Sequence, residues 1–129
     1  INGGFTSGKP WLAVNENYKE INAKAAVEDE NSIFHHYRKL IDIRKNNETI
    51  IYGEYRDLDI ENPDVFAYIR ELDGDKIVVV CNFTDKRVVC KDESLEVGDS
   101  EILLSNYKDS EKLKNTMELR PYEAIMYRM

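Results

Sequence analysis

Long apolar runs are missing from this sequence, and so is any surplus of basic charge. No stretch approaches the roughly 20 apolar residues of a membrane span, and no charged leader is followed by an apolar core. No spanning segment is therefore expected. With 18 Lys and Arg against 25 Asp and Glu, the net charge is −7. Such a chain repels phosphate backbones and anionic lipid, and its basic residues do not cluster, so nucleic acid and membrane are excluded as partners. Cysteine is scarce too: Cys81 and Cys90 stand alone, without a C-x-x-C spacing. His35 and His36, the only histidines, are neighbours that diverge by about 100° on a helix, which makes a zinc site a poor fit. The two thiols either face each other across a hairpin or, as favoured for a cytoplasmic protein, are reduced packing residues.

A phosphate-binding loop is also lacking, although "GGFTSGKP" comes close with Gly3, Gly8 and Lys9. The position of the magnesium-binding hydroxyl is Pro10, which has neither O–H nor N–H, and only two residues precede the first glycine. The stretch reads instead as a glycine-rich surface connection that pins Trp11 onto something apolar. What is present suits one packed domain: 129 residues that are 42% hydrophobic and 10% aromatic. The first residue is Ile, which suggests a piece of something longer.

The organisation changes near residue 48. Residues 1–20 are punctuated by glycines, Pro10 and asparagines and read as irregular; Asn22 can cap a short helical turn through Ala23, Ala25, Ala26 and Val27. "NSIFHHYRKLIDIRKNN" follows as the strongest helix, capped by Asn31 or Ser32. Ile33, Phe34, Tyr37, Leu40 and Ile41 form one stripe, extended by Arg44, with Arg38, Lys39, Asp42 and Lys45 opposite. Beyond residue 48 the period turns to two, or the runs become β-branched. Strands are expected at 50–55, 65–72, 76–83, 87–90, 101–105, 116–119 and 123–129, with hairpins at 73–75 and 84–86. Val78, Val79 and Val80 in succession require a strand covered on both faces, hence a sandwich or small barrel. Pro63 and Pro121 lie just before strands, where a missing donor does no harm.

No residue set announces catalysis. Paired carboxylates about 5–10 Å apart run glycosidases, but a chain with 25 acids offers many accidental pairs, and Glu16, Glu20, Asp57, Asp59 and Glu61 read as solvated loop charges. Ser32 and Ser105 lack a nucleophile-elbow context. Tyr52, Tyr55, Tyr68, Tyr107, Tyr122 and Tyr127 can stack on sugars, yet they fit better as sandwich residues with hydroxyls at the rim.

"NGGFTSGKPWLAVNENYKEIN", "SIFHHYRKLIDIRKNN", "VFAYIREL", "VVCNFT" and "LRPYEAIMYR" together resemble the C-terminal part of the α-amylase family of glycoside hydrolases, in its oligo-1,6-glucosidase branch. The likeness runs over essentially the whole chain; one departure is Glu16, where the family commonly has Pro. The resemblance implies that residues 1–48 are the tail of the (β/α)8 catalytic barrel, a loop plus the last helix, and that residues 49–129 form an all-β, antiparallel sandwich domain. It also implies that the aspartate nucleophile, the glutamate acid/base and the second aspartate lie upstream of Ile1. No catalytic, substrate-binding or metal residue and no cofactor is then assigned here, and the piece alone is expected to be catalytically silent. Its implied partners are the parent's own barrel and, through it, an oligosaccharide, in a bacterial cytoplasm. The parent would be a retaining exo-acting α-glucosidase; trehalose-6-phosphate hydrolase, dextran glucosidase and sucrose isomerase are the alternatives within the branch. An autonomous sugar-binding module is the alternative outside it, and would need an exposed row of aromatics. Burying the five-residue stripe at about 1.5–3 kcal/mol per side chain would lock the two parts together, and left open it would favour self-association.

Overall fold

The computed structural model describes residues 1–93, 95 and 98–129, in two compact units, Ile1–Lys39 and Leu40–Met129. The first unit contains no buried residue. It consists of 3-10 turns at Asn2–Gly4 and Glu16–Lys19, then α1 (Ala23–Glu28) and the start of α2 (Ile33–Lys45). Polar side chains shape it. Asn2 Nδ2 donates to the carbonyls of Thr6 and Gly8 at 2.9 and 2.8 Å, and Asn22 caps α1 by accepting from the Ala25 amide at 2.9 Å, as expected. Trp11 is not pinned: it is 93% exposed. Thirty-nine residues without a core of their own offer an indole nothing to pack against.

Helix α2 runs over the expected residues, with the Ser32 hydroxyl accepting from the His35 amide at 3.4 Å. Its apolar stripe is open. Ile33 is 86% exposed and Tyr37 64%, with Phe34 and Ile41 also exposed.

The strand expected at 50–55 is partly a helix. Asn47 Oδ1 accepts from the Ile50 amide at 3.1 Å and nucleates α3 (Glu48–Tyr52), so the β-branched run "TII" winds into one turn before β1 (Glu54–Leu58) begins. A local cap here outweighs β propensity. Gly53 makes the changeover possible. A Cβ on it would sit 2.4 Å from the Thr49 carbonyl oxygen and 3.0 Å from that of Glu71. Gly53→Ala should therefore cost about 1–3 kcal/mol through forced backbone displacement; a melting temperature equal to wild type would refute that.

Six expected strands appear within about a residue of their reading: β2 (Val65–Leu72), β3 (Asp75–Asn82), β4 (Val88–Lys91), β5 (Glu101–Ser105), β6 (Thr116–Leu119) and β7 (Ala124–Arg128). They build a five-stranded antiparallel sheet of order β1-β2-β3-β7-β5 and a two-stranded sheet β4-β6. The β2–β3 hairpin turns on Asp73 and Gly74, at φ 50° and 88°, the pair of left-handed residues that suits the strand twist. The hairpin expected at 84–86 does not form, because β4 leaves the first sheet and pairs with β6. Both sheets contribute to one core. Ala67, Ile69, Val78, Val80, Ile125 and Tyr127 meet Cys90, Met117 and Leu119, with Leu95 and Leu113 from the connections. This is an antiparallel sandwich of unequal layers, and Val78–Val80 are covered on both sides at 0, 9 and 2% exposure.

Candidate functional site

The residues weighed for catalysis do not converge. Glu16, Glu20, Asp57 and Glu61 are exposed. Asp57 accepts from the Tyr55 hydroxyl, while Asp59 accepts from the Lys91 amide and Asn62 Nδ2 at 3.0 and 2.8 Å and ties the β1 end to β4. Ser32 bonds the Ala26 carbonyl, Ser105 bonds Ser110, and the His35 ring lies 2.9 Å from the Val27 carbonyl oxygen. Both cysteines are free. They stand on different sheets, so the hairpin that would face them together is absent. Burial, reinforced by Asp59 and Asp92, pushes the Cys90 thiol up to about 12, which keeps it unreactive. Among the described residues no group of three or more His, Cys, Asp or Glu is placed to hold a metal ion, and no helix is long and apolar enough to cross a membrane.

Three features do stand out. The first is a charged knot at the turn before β7. Arg120, Pro121, Tyr122 and Glu123 form a β-turn closed by the Glu123 amide on the Arg120 carbonyl at 3.1 Å, with Tyr122 at φ 54°. The turn folds Arg120 back onto Glu123, which is 3% exposed: the guanidinium donates to its two oxygens at 2.6 and 3.1 Å, and the Arg120 amide donates at 2.9 Å. Ser110 adds a bond at 2.7 Å, Asp109 takes the other arm of Arg120 at 2.7 Å, and the guanidinium lies 3.9 Å from the centre of the Tyr107 ring. Burial alone would raise the Glu123 carboxyl, but the bonds from Arg120 and Ser110 outweigh it and hold it at about 2. Sequence reading missed this knot, although "RPYE" carried the signal: a turn proline between opposite charges three residues apart. With its charges mutually satisfied, the knot is a structural clasp.

The second feature is an open hollow of about 790 Å³ in the first unit, lined by Phe5, Pro10, Trp11, Leu12, Val14 and Tyr18. The third is a row of rings on the five-stranded sheet. Tyr55 lies 5.3 Å from Tyr68, Tyr68 5.5 Å from Phe66, and Phe66 6.3 Å from Phe83, centre to centre. The tyrosines thus divide. Tyr127 is fully buried, whereas Tyr52, Tyr55 and Tyr122 are exposed.

Similarity to known proteins covers the chain in two stretches. The α-amylase catalytic-domain model matches residues 1–53, and the model of the C-terminal domain of the α-amylase SusG matches residues 65–126. The oligo-1,6-glucosidase of Bacillus cereus is 44% identical over 128 residues, 98% of this chain but 23% of that enzyme. The crystal structure of Bacillus licheniformis trehalose-6-phosphate hydrolase superposes with a TM-score of 0.92 at 35% identity, over 98% of this chain and 23% of that one. Trehalulose synthase from Pseudomonas mesoacidophila superposes at 0.84 with 36% identity, again over 98% and 23%. The chain thus spans under a quarter of the length of these relatives. Its two halves match, in order, part of a catalytic domain and a C-terminal domain: the chain belongs to the α-amylase family of glycoside hydrolases, as a C-terminal part of such an enzyme.

Proposed function

We propose that this chain is the accessory, stabilising C-terminal part of an α-glucosidase that hydrolyses α-1,6 or related α-glucosidic bonds of short oligosaccharides, and that it does no chemistry by itself. The observation that carries this reading is the identity of 44% to an oligo-1,6-glucosidase across 98% of the chain. In this reading residues 1–48 are the closing loop and last helix of the catalytic barrel, and residues 49–129 are the finishing β-domain. The open hollow around Trp11 and the open stripe of α2 then belong to surfaces that the barrel covers. Leaving side chains such as Ile33 and Tyr37 in water forfeits about 1.5–3 kcal/mol apiece, which is why such a stripe calls for a partner. A bacterial cytoplasmic setting goes with the reading, as does self-association when the chain is alone.

The chemistry would come from the preceding portion. A carboxylate pair about 5–5.5 Å apart supplies nucleophile and acid/base in a retaining glycosidase, and none of the carboxylates described above is assigned to it. The test is an assay of the full-length polypeptide and of residues 1–129 on isomaltose, trehalose 6-phosphate and sucrose. Glucose is expected from isomaltose with the full-length polypeptide and with nothing from the shorter chain. Release of glucose by residues 1–129 alone, or conversion of only sucrose or trehalose 6-phosphate by the full-length polypeptide, would overturn the assignment.

The exposed ring row favours a second reading, an autonomous sugar-binding module. Dextran or isomaltose quenching of tyrosine fluorescence in this chain would support it.

A further inference from the structure

The loop at the start of the chain hangs on one side-chain amide. Asn2 Nδ2 donates both to the Thr6 carbonyl at 2.9 Å and to the Gly8 carbonyl at 2.8 Å, so a single group gathers residues 2–8 into a closed loop. Within it the Gly4 amide bonds the Ile1 carbonyl at 3.0 Å, the Phe5 amide the Asn2 carbonyl at 3.2 Å, and the Gly8 amide the Thr6 hydroxyl at 3.1 Å. No apolar core backs these bonds, since Gly3, Phe5, Thr6 and Gly8 are exposed and the first unit buries no residue. The loop also carries Gly3 and Phe5 to the edge of the hollow around Trp11.

The same amide is chemically labile. Asn2 is the only asparagine in the sequence followed by glycine. Attack of a backbone nitrogen on the carbonyl carbon of the preceding asparagine side chain closes a succinimide ring, and a side chain on the attacking residue obstructs the approach. Glycine removes that obstacle and leaves the backbone free to rotate into the reactive geometry. Gly3 stands at φ 61°, and its amide donates no hydrogen bond among the described residues, so the nucleophile is unencumbered. Asp73-Gly74 has the same spacing, but pairing of Leu72 with Asp75 fixes that turn, and an ionised carboxylate is a poor electrophile.

We propose that Asn2 is a deamidation site whose conversion opens this loop. The Gly3 nitrogen bonds to Asn2 Cγ, the Cγ–Nδ2 bond breaks, and ammonia leaves carrying the Gly3 amide proton. Water then adds to one of the two ring carbonyls and splits the ring C–N bond. The product is aspartate or, where the main chain is rerouted through the side-chain carbon, isoaspartate. A carboxylate has no hydrogen to donate. The Thr6 and Gly8 carbonyl oxygens then face an anion in place of their donor, and both bonds that close the loop are lost. The inference is independent of any enzymatic activity.

Incubation of the full-length polypeptide at mildly alkaline pH, followed by peptide mapping in a mass spectrometer, tests the first step. Replacement of NH2 by OH is expected at Asn2 before any other asparagine, part of it as isoaspartate that a carboxyl methyltransferase labels. It should run more slowly than in a free peptide of residues 1–12, because the two bonds must open first. Asn2→Gln, whose longer side chain closes the ring poorly, should show no conversion at this position. Amide hydrogen exchange tests the second step. In Asn2→Asp, residues 2–8 should exchange roughly tenfold faster than in the wild type, the factor expected for local opening after two such bonds are lost. Persistence of the Asn2 amide while other asparagines convert, or conversion as fast as in the free peptide, would overturn the proposal. Exchange in Asn2→Asp equal to that of the wild type would overturn it as well.

Discussion

Arg120→Met should lower stability by about 3–5 kcal/mol, the usual penalty for removing one partner of a buried ion pair. Glu123 is 3% exposed, and without the guanidinium two of the bonds to its carboxylate vanish, leaving those from the Arg120 amide and Ser110. The pH response should also change sign. In the wild type the carboxyl is held at about 2, below its ordinary value near 4.3, so the unfolded chain binds more protons between those values. Stability from this group is then complete above about pH 4.3 and is lost as pH falls towards 2, by about 3 kcal/mol. In Arg120→Met burial dominates, the folded carboxyl rises above its unfolded value, and stability should instead fall as pH rises above about 4.3. Adding Glu123→Gln to that variant removes the buried charge, which should recover part of the loss and flatten the profile. Thermal melts from pH 3 to 8 check all three; a variant that keeps the wild-type acid slope would mean that Arg120 does not hold Glu123.

Tyr127→Ala should be of comparable size, about 3–5 kcal/mol, a large share of the 5–15 kcal/mol that a domain commonly has. Tyr127 is the largest fully buried side chain and sits on β7 between β3 and β5, opposite Val78 and Ile102. Truncation opens a void where both sheets meet. Its hydroxyl donates to the Glu111 carbonyl at 2.8 Å, and burial, followed by Glu123 and Glu111, pushes the phenol well above its ordinary range. Tyr127→Phe should therefore cost only about 1 kcal/mol. Denaturant melts distinguish the two: equal losses for Ala and Phe would place the stabilisation in the hydroxyl rather than in the packed ring.

Much of the β half was legible from residue order. Val78–Val80 could only be a strand covered on both sides, and the alternation in "VFAYIREL" set which residues of β2 face the core. The Asp73-Gly74 turn and the Asn22 cap follow from local chemistry alone. Where reading failed, a tertiary contact or a short cap decided. At "IIYGEY" one side-chain bond from Asn47 turned a β-branched run into helix, and the narrow space around Gly53, made by the Thr49 and Glu71 backbones, set where β1 starts. At residues 84–86 a hairpin was plausible locally, but pairing of β4 with β6 puts those strands in another sheet.

The sequence by itself determined the helix of residues 33–45, the strand periods, the single caps and the family likeness, because these depend on neighbours within a few positions or on residue order. Only the tertiary structure decided how the strands divide between two sheets, which tyrosines are core and which are surface, and that Arg120 is clasped to Glu123. It decided too that the rings of Tyr55, Tyr68, Phe66 and Phe83 line up. Each of these depends on which distant segments share space, and a pattern read along the chain carries no term for that.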